Sequence, residues 1–265
     1  MYRVNTNGGF TIVEVLIVIS ITTAILLATL PFLFAQQSKA EFSVGIKQLA
    51  NTIQKSINNV ASGYFNPSQS YSCGIVPPPI SIGSGTSSIG SNEYCQFIGD
   101  ALLFQDNNLE ILPIAGLKYS NANTIEKVTS LAQSQPCVMK YFAGSTCVTD
   151  TNLDVSDNVN YQSGLRLASF NGVSSPGNGL IDIYSINSLN SSATISGSID
   201  NLIIGTDSNP DNLLKQINTT TSSSTFNKSI DLCFNSARGD YSGVITIGAN
   251  SNPTSVNLKI NPGTC

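Results

Sequence analysis

Gly8-Gly9-Phe10-Thr11-Ile12-Val13-Glu14, followed by the run Val15-Leu-Ile-Val-Ile-Ser-Ile-Thr-Thr-Ala-Ile-Leu-Leu-Ala-Thr-Leu-Pro-Phe-Leu-Phe-Ala35, decides how the first part of the chain folds. No Asp, Glu, Lys or Arg occurs from Val15 through Gln37. The segment 15–35 matches the length of about 20 apolar residues that a bilayer-spanning helix requires. Glu14 stands at its mouth. A charged side chain at the centre of a membrane helix costs roughly 2.5–3.5 kcal/mol on insertion scales, and less near an end, so a carboxylate here calls for a function and a partner.

Lys39 is the next cation along the chain, and at about 1.5 Å of rise per residue it lies roughly 37 Å from Glu14, out of reach. Arg3 belongs to a short polar leader that the positive-inside tendency keeps on the cytoplasmic side. Cleavage between Gly9 and Phe10 would create the missing cation. The new α-amine of Phe10 would lie four residues from Glu14, on the same helix face.

Gly9, Phe10, Thr11 and Glu14 form a Gly-Phe-Thr-x-x-Glu pattern that resembles the processing signal of type IV pilins and type II secretion pseudopilins. The resemblance implies that a prepilin peptidase cuts after Gly9 and N-methylates Phe10. It implies that Glu14, the fifth mature residue, pairs with the N-terminal amine of a neighbouring subunit during assembly. Pro31 falls at the twenty-second mature position, where the family commonly carries proline. Pro31 lacks an amide hydrogen, so it deprives the Leu27 carbonyl of its helical donor. In filaments of that family the helix melts locally around this proline. The implied partners are other pilin or pseudopilin subunits, the peptidase, an inner-membrane assembly platform, and membrane lipid before assembly. The implied location is the cytoplasmic membrane for a single-pass precursor with its head outside the cytoplasm, and an extracellular pilus or periplasmic pseudopilus for the mature form. The competing readings, an ordinary secretory signal peptide cut near Ala35 or a plain signal-anchor, fit less well. The apolar run exceeds a 7–15-residue signal core, Leu33 is bulky where a small residue is preferred, and Glu14 interrupts the start of the run.

The 265 residues, 41% hydrophobic and 11% charged, accommodate a membrane helix and a globular portion large enough for its own core. The net charge of −4 offers no basic footprint for nucleic acid. The chain has no histidine, which removes the usual zinc sets and every Ser-His or Cys-His catalytic arrangement. The 16 acidic residues are scattered and compose no recognisable hydrolase motif, so no enzymatic activity is expected.

After Pro31, Phe42, Ile46, Leu49, Ile53, Ile57 and Val60 recur at three- and four-residue spacing, one apolar stripe that a globular head would cover, and Gly63 offers a stop. Residues 61–92 are rich in Gly, Ser and Pro, including Pro77-Pro78-Pro79, and read as a loop. A β-hairpin is expected from Ala101 to Leu112 around Asp106-Asn107-Asn108, then a helical piece over 124–133. Further strands are expected over 164–170, 180–186, 193–204, 230–234, 243–247 and 255–260. The expected architecture is α+β. A leader (1–9) and a long helix (10–61, transmembrane over 15–35) precede an antiparallel β-rich, disulfide-stapled head (62–265).

Six cysteines after the membrane segment, none in a Cys-x-x-Cys pair, point to an oxidising compartment. They permit 15 pairings, among which the sequence does not choose. Sequential pairing is the expectation: Cys73–Cys95, Cys137–Cys147 and Cys233–Cys265, the last resembling the cysteine-bounded C-terminal region of many pilins. Asp150-x-Asn152-x-Asp154 and Asp207-x-Asn209-x-Asp211 alternate oxygen ligands as calcium loops do, and some pseudopilins bind calcium. Val155 replaces the glycine and Tyr161 the glutamate that an EF-hand requires, which favours solvated turns. No other cofactor is expected. The size of the head favours a minor pilin or pseudopilin that primes, caps or decorates a filament. The alternatives are an adhesive minor pilin whose head contacts a surface, glycan or secreted protein and, with least support, a signal-anchored extracytoplasmic enzyme.

Overall fold

The computed structural model describes residues 11–65, 71–74, 80–85, 95–121, 124–128, 131–174, 177–185, 201–219, 229–248 and 254–265. The leader, with Gly9 and Phe10, lies outside them, as do Pro77-Pro78-Pro79 and the first part of the expected 193–204 strand.

Helix α1 runs 51 residues from Ile12 to Ser62. Thr11 opens it with a reciprocal capping box. The Glu14 amide donates to Thr11 Oγ1 at 3.3 Å while the Thr11 amide donates to Glu14 Oε2 at 3.1 Å, satisfying donors that a helix start otherwise leaves orphaned. Gly63 closes it in the left-handed conformation (φ 67°), and the Tyr64 amide reaches back to the Asn59 carbonyl at 2.9 Å. The helix continues through Pro31 without interruption.

Strands β1 (Tyr71–Gly74) and β2 (Ser81–Ser84) form a small antiparallel pair inside the region expected to be loop throughout. Strands β3 (Cys95–Phe104) and β4 (Asn108–Leu117) form the expected hairpin, longer at both ends. The expected helix over 124–133 is corrected: β5 (Tyr119–Asn121) pairs with β6 (Thr124–Lys127), and only α2 (Leu131–Ser134) is helical. A four-residue stretch with β-branched Thr124 and Ile125 adds to a hairpin more readily than it nucleates a helix.

The remaining elements are β7 (Cys137–Val138), β8 (Asp157–Asn160), β9 (Arg166–Phe170), β10 (Val173–Ser174), β11 (Asn178–Tyr184), β12 (Asn201–Asp207), α3 (Pro210–Thr219), β13 (Ile230–Asn235), β14 (Tyr241–Ile247) and β15 (Val256–Pro262). They complete two antiparallel sheets. One has the order β10-β9-β13-β14-β15; the other has β12-β11-β3-β4-β7, with β8 also paired to β4.

The apolar stripe of α1 is buried at all six positions, from Phe42 to Val60. It shares one cluster with Leu102 and Phe104 of β3, Ile181 and Ile183 of β11, Leu232 and Phe234 of β13 and Ile245 of β14. On the opposite face of β3 and β11, Ala101, Leu103, Leu180 and Tyr184 meet Leu213, Leu214 and Ile217 of α3. This double cover explains why residues 98–104 are buried without alternation. A third cluster gathers Tyr71, Ile82, Ala115 and Val148 around Cys95, Cys137 and Cys147. Disulfides join Cys73 to Cys95, Cys137 to Cys147 and Cys233 to Cys265.

Candidate functional site

Two places in the molecule carry more chemistry than packing requires. The first is the start of α1. The segment Ile12–Leu30, 19 residues of mean hydropathy 2.4, is long and apolar enough to cross a membrane, and none of it is buried. It begins three residues earlier than the expected 15–35 span; the side chains of 31–35, Pro31 among them, lie outside the described set. Its polar residues turn inward. Ser20, Thr22, Thr23 and Thr29 donate their hydroxyls to the carbonyls of Ile17, Val18, Ile19 and Leu26 at 2.7–3.0 Å, so each finds an acceptor without water.

Glu14 is the only charged residue of that segment. Its Oε2 accepts from the Thr11 amide and from Thr11 Oγ1, both at 3.1 Å. The carboxylate is thus folded back towards the residue that follows Phe10. The macrodipole of α1 favours a negative charge in this first turn.

The second place is the head, where two carboxyls lie in apolar company. Asp100 of β3 is 5% exposed and accepts a hydrogen bond from Ser56 Oγ of α1 at 2.6 Å. Burial pushes its pKa up to about 7, against the opposing effect of that hydrogen bond. Asp182 of β11 is fully buried, and neither of its oxygens has a hydrogen-bond partner. Burial raises its pKa well above the ordinary value. Tyr184, two residues on and on the same face, is raised first by burial and then by Asp182. Sequence reasoning passed over both acids, although an Asp inside Ile98-Gly-Asp-Ala-Leu-Leu-Phe104 or Leu180-Ile-Asp-Ile-Tyr184 is a visible anomaly.

Asp154 forms an ion pair with Lys140 at 3.4 Å, and Lys140 also binds the Glu110 carboxylate. Burial would raise the Asp154 pKa, but hydrogen bonds from Ser156 and the charge of Lys140 outweigh it and hold it below the ordinary value. Asp150 is lowered by hydrogen bonds from the Ser84 hydroxyl and the Asn152 amide. Asp207 Oδ1 accepts from the Asn209 amide at 2.8 Å, and Asn209 Oδ1 from the Asp211 amide at 2.9 Å, an arrangement that leads into α3. In the two weighed calcium loops, Asp150-Asn152-Asp154 and Asp207-Asn209-Asp211, the side-chain oxygens of Asp150, Asp154, Asp207 and Asn209 thus serve turns and an ion pair. Among the described residues no three His, Cys, Asp or Glu side chains gather to hold a metal.

No family model, curated protein or solved structure matches the chain.

Proposed function

We propose that this chain is a type IV pilin-like or type II secretion pseudopilin-like subunit, whose work is assembly into a filament through α1. The observation that carries this reading is the uncovered apolar segment Ile12–Leu30 opening on one carboxylate. An apolar surface this extensive calls for cover. Lipid supplies it for the precursor, and the helices of sibling subunits supply it in the filament.

Exchanging lipid for other apolar helices brings little hydrophobic gain, because hydrocarbon tails are as apolar as leucine. A directional interaction is needed to favour assembly and set its register. Glu14 provides that interaction by pairing with the α-amine that cleavage between Gly9 and Phe10 exposes on a neighbour. The charge that is costly near lipid becomes a docking element once its partner arrives. Pro31 gives α1 a position where the hydrogen-bond ladder is already weakened, so local melting there fits packing in a filament. The prepilin peptidase and an inner-membrane platform are the partners of this route. The size of the disulfide-stapled head favours a minor member that primes, caps or decorates.

Mass spectrometry of the mature N-terminus tests the reading most directly. A chain beginning at methylated Phe10 is expected; a chain beginning near Gln36 would overturn the proposal. In cells, Glu14→Ala is expected to give a processed, membrane-located protein that is lost from sheared filaments.

A further inference from the structure

A cleft of about 640 Å³ opens where α1, the turn after it, β3, β4 and β8 come together. It lies at the seam between two cores. Phe97 packs against the helix-and-sheet cluster, Phe65 against the disulfide-rich cluster, and the two rings stack with centroids 4.9 Å apart. Phe97, Ile111, Pro113 and Val159 give the cleft apolar walls, while Asp100 and Ser56, both almost wholly buried, lie at its base.

We propose that this cleft binds an organic cation, an ammonium or guanidinium group carried on an apolar stem, with the cation at Asp100 and the stem against Ile111, Pro113 and Val159. Asp100 has a hydroxyl for company and, among the described residues, forms no ion pair. An ionised carboxylate in such surroundings lacks a counter-charge, and an aromatic ring beside it adds attraction for the same kind of group. The volume falls within the range of small-ligand pockets, about 300–1,000 Å³, and far exceeds what one metal ion fills. A bare calcium ion would need six to eight oxygens.

The charged or titratable groups lining the cleft around Asp100 are Lys55 from α1, Asp157 from β8 and Tyr64 from the turn. Lys55 and Asp157 are both exposed and of opposite sign, so they leave the rim with no net charge. Glu110 leaves the opposite face of β4 to meet Lys140, and Asp182 leaves the opposite face of β11. With Asp100 titrating at about 7, the competent ionised form grows about tenfold between about pH 6 and pH 8.

The test is calorimetric titration of the full chain in detergent micelles with 1,4-diaminobutane and with acetyl-arginine amide, alongside 1-butanol and methyl glucoside as neutral controls. Saturable binding of either cation is expected, about tenfold tighter at about pH 8 than at about pH 6. Asp100→Asn should weaken it about tenfold or more, and Asp157→Asn less than about threefold. Near-UV circular dichroism checks that both variants are folded. Tighter binding of the diamine assigns a free amine as ligand, and tighter binding of the arginine derivative assigns a basic side chain of another protein. Absence of saturable binding by both cations overturns the proposal. So does unchanged binding by Asp100→Asn, or methyl glucoside binding that depends on Asp100 in the same way.

Discussion

Glu14 and Asp100 are carboxyls in contrasting surroundings, the first exposed and the second almost wholly buried. Glu14 stays at a helix start, where amide hydrogens and the macrodipole accept an anion. Asp100 keeps its proton further up the pH scale. Its folded pKa of about 7 lies above the ordinary 3.8, so the stability it contributes is fully present below about pH 4 and is lost as pH rises towards 7. From about pH 5 to pH 8 this one group removes roughly 2.5 kcal/mol. Asp100→Asn should shrink the fall in stability over that interval by about this amount, read from urea denaturation at the two pH values; an unchanged slope would mean that the acid ionises freely. Asp182 titrates in the same direction, so a smaller slope of the same sign should persist in the variant.

At the scale of elements, the buried stripe of α1 makes a graded prediction. Ile53→Ala removes a fully buried side chain and should cost about 2–5 kcal/mol, whereas Val44→Ala, at a position 54% exposed, should change stability by less than about 0.5 kcal/mol. Chemical denaturation of the detergent-solubilised chain distinguishes the two. Two strand glycines, Gly99 of β3 and Gly74 of β1, offer a second contrast. Gly99 sits at a register shift, and a Cβ there would collide with the Ile183 carbonyl oxygen of β11, while one at Gly74 meets nothing within 4 Å. Gly99→Ala should therefore destabilise by roughly 2 kcal/mol or more and Gly74→Ala by under about 1 kcal/mol. The stripe itself was legible because a helix half covered by a core repeats its apolar residues every three or four positions. Strands β1 and β2 were not, since four residues among Gly, Ser and Pro carry too little period to read. Helix α3 was hidden by its entry through Ser208-Asn209-Pro210, which reads as a turn until Leu213, Leu214 and Ile217 are seen against the sheet. Nor could spacing reveal the cleft, because Ser56 and Asp100 are 44 residues apart and meet only after the helix lies across β3.

Across the whole molecule, the three disulfides close loops of increasing span: 10, 22 and 32 positions. On the chain-entropy account, opening Cys233–Cys265 by paired serine substitution should cost about 3–4 kcal/mol, about 1 kcal/mol more than opening Cys137–Cys147. Thermal melting of the two variants checks the order. The Cys233–Cys265 link also ties the C-terminus, which follows β15, to β13. The unbroken length of α1 has a mechanical consequence. From Ile12 to Ser62 it is a shaft of roughly 77 Å, gripped from Phe42 onward, and it transmits rotation as well as position. In the free subunit, before any melting at Pro31, the compass bearing of Glu14 is thereby geared to that of the sheets as it docks. Two residues inserted between Gln37 and Ala40 would swing Glu14 by about 200°, whereas seven would return it to within about 20° while lengthening the shaft by roughly 10 Å. On the proposed reading as a filament subunit, incorporation that tolerates seven inserted residues better than two would show that the chain is read by its phase more than by its reach.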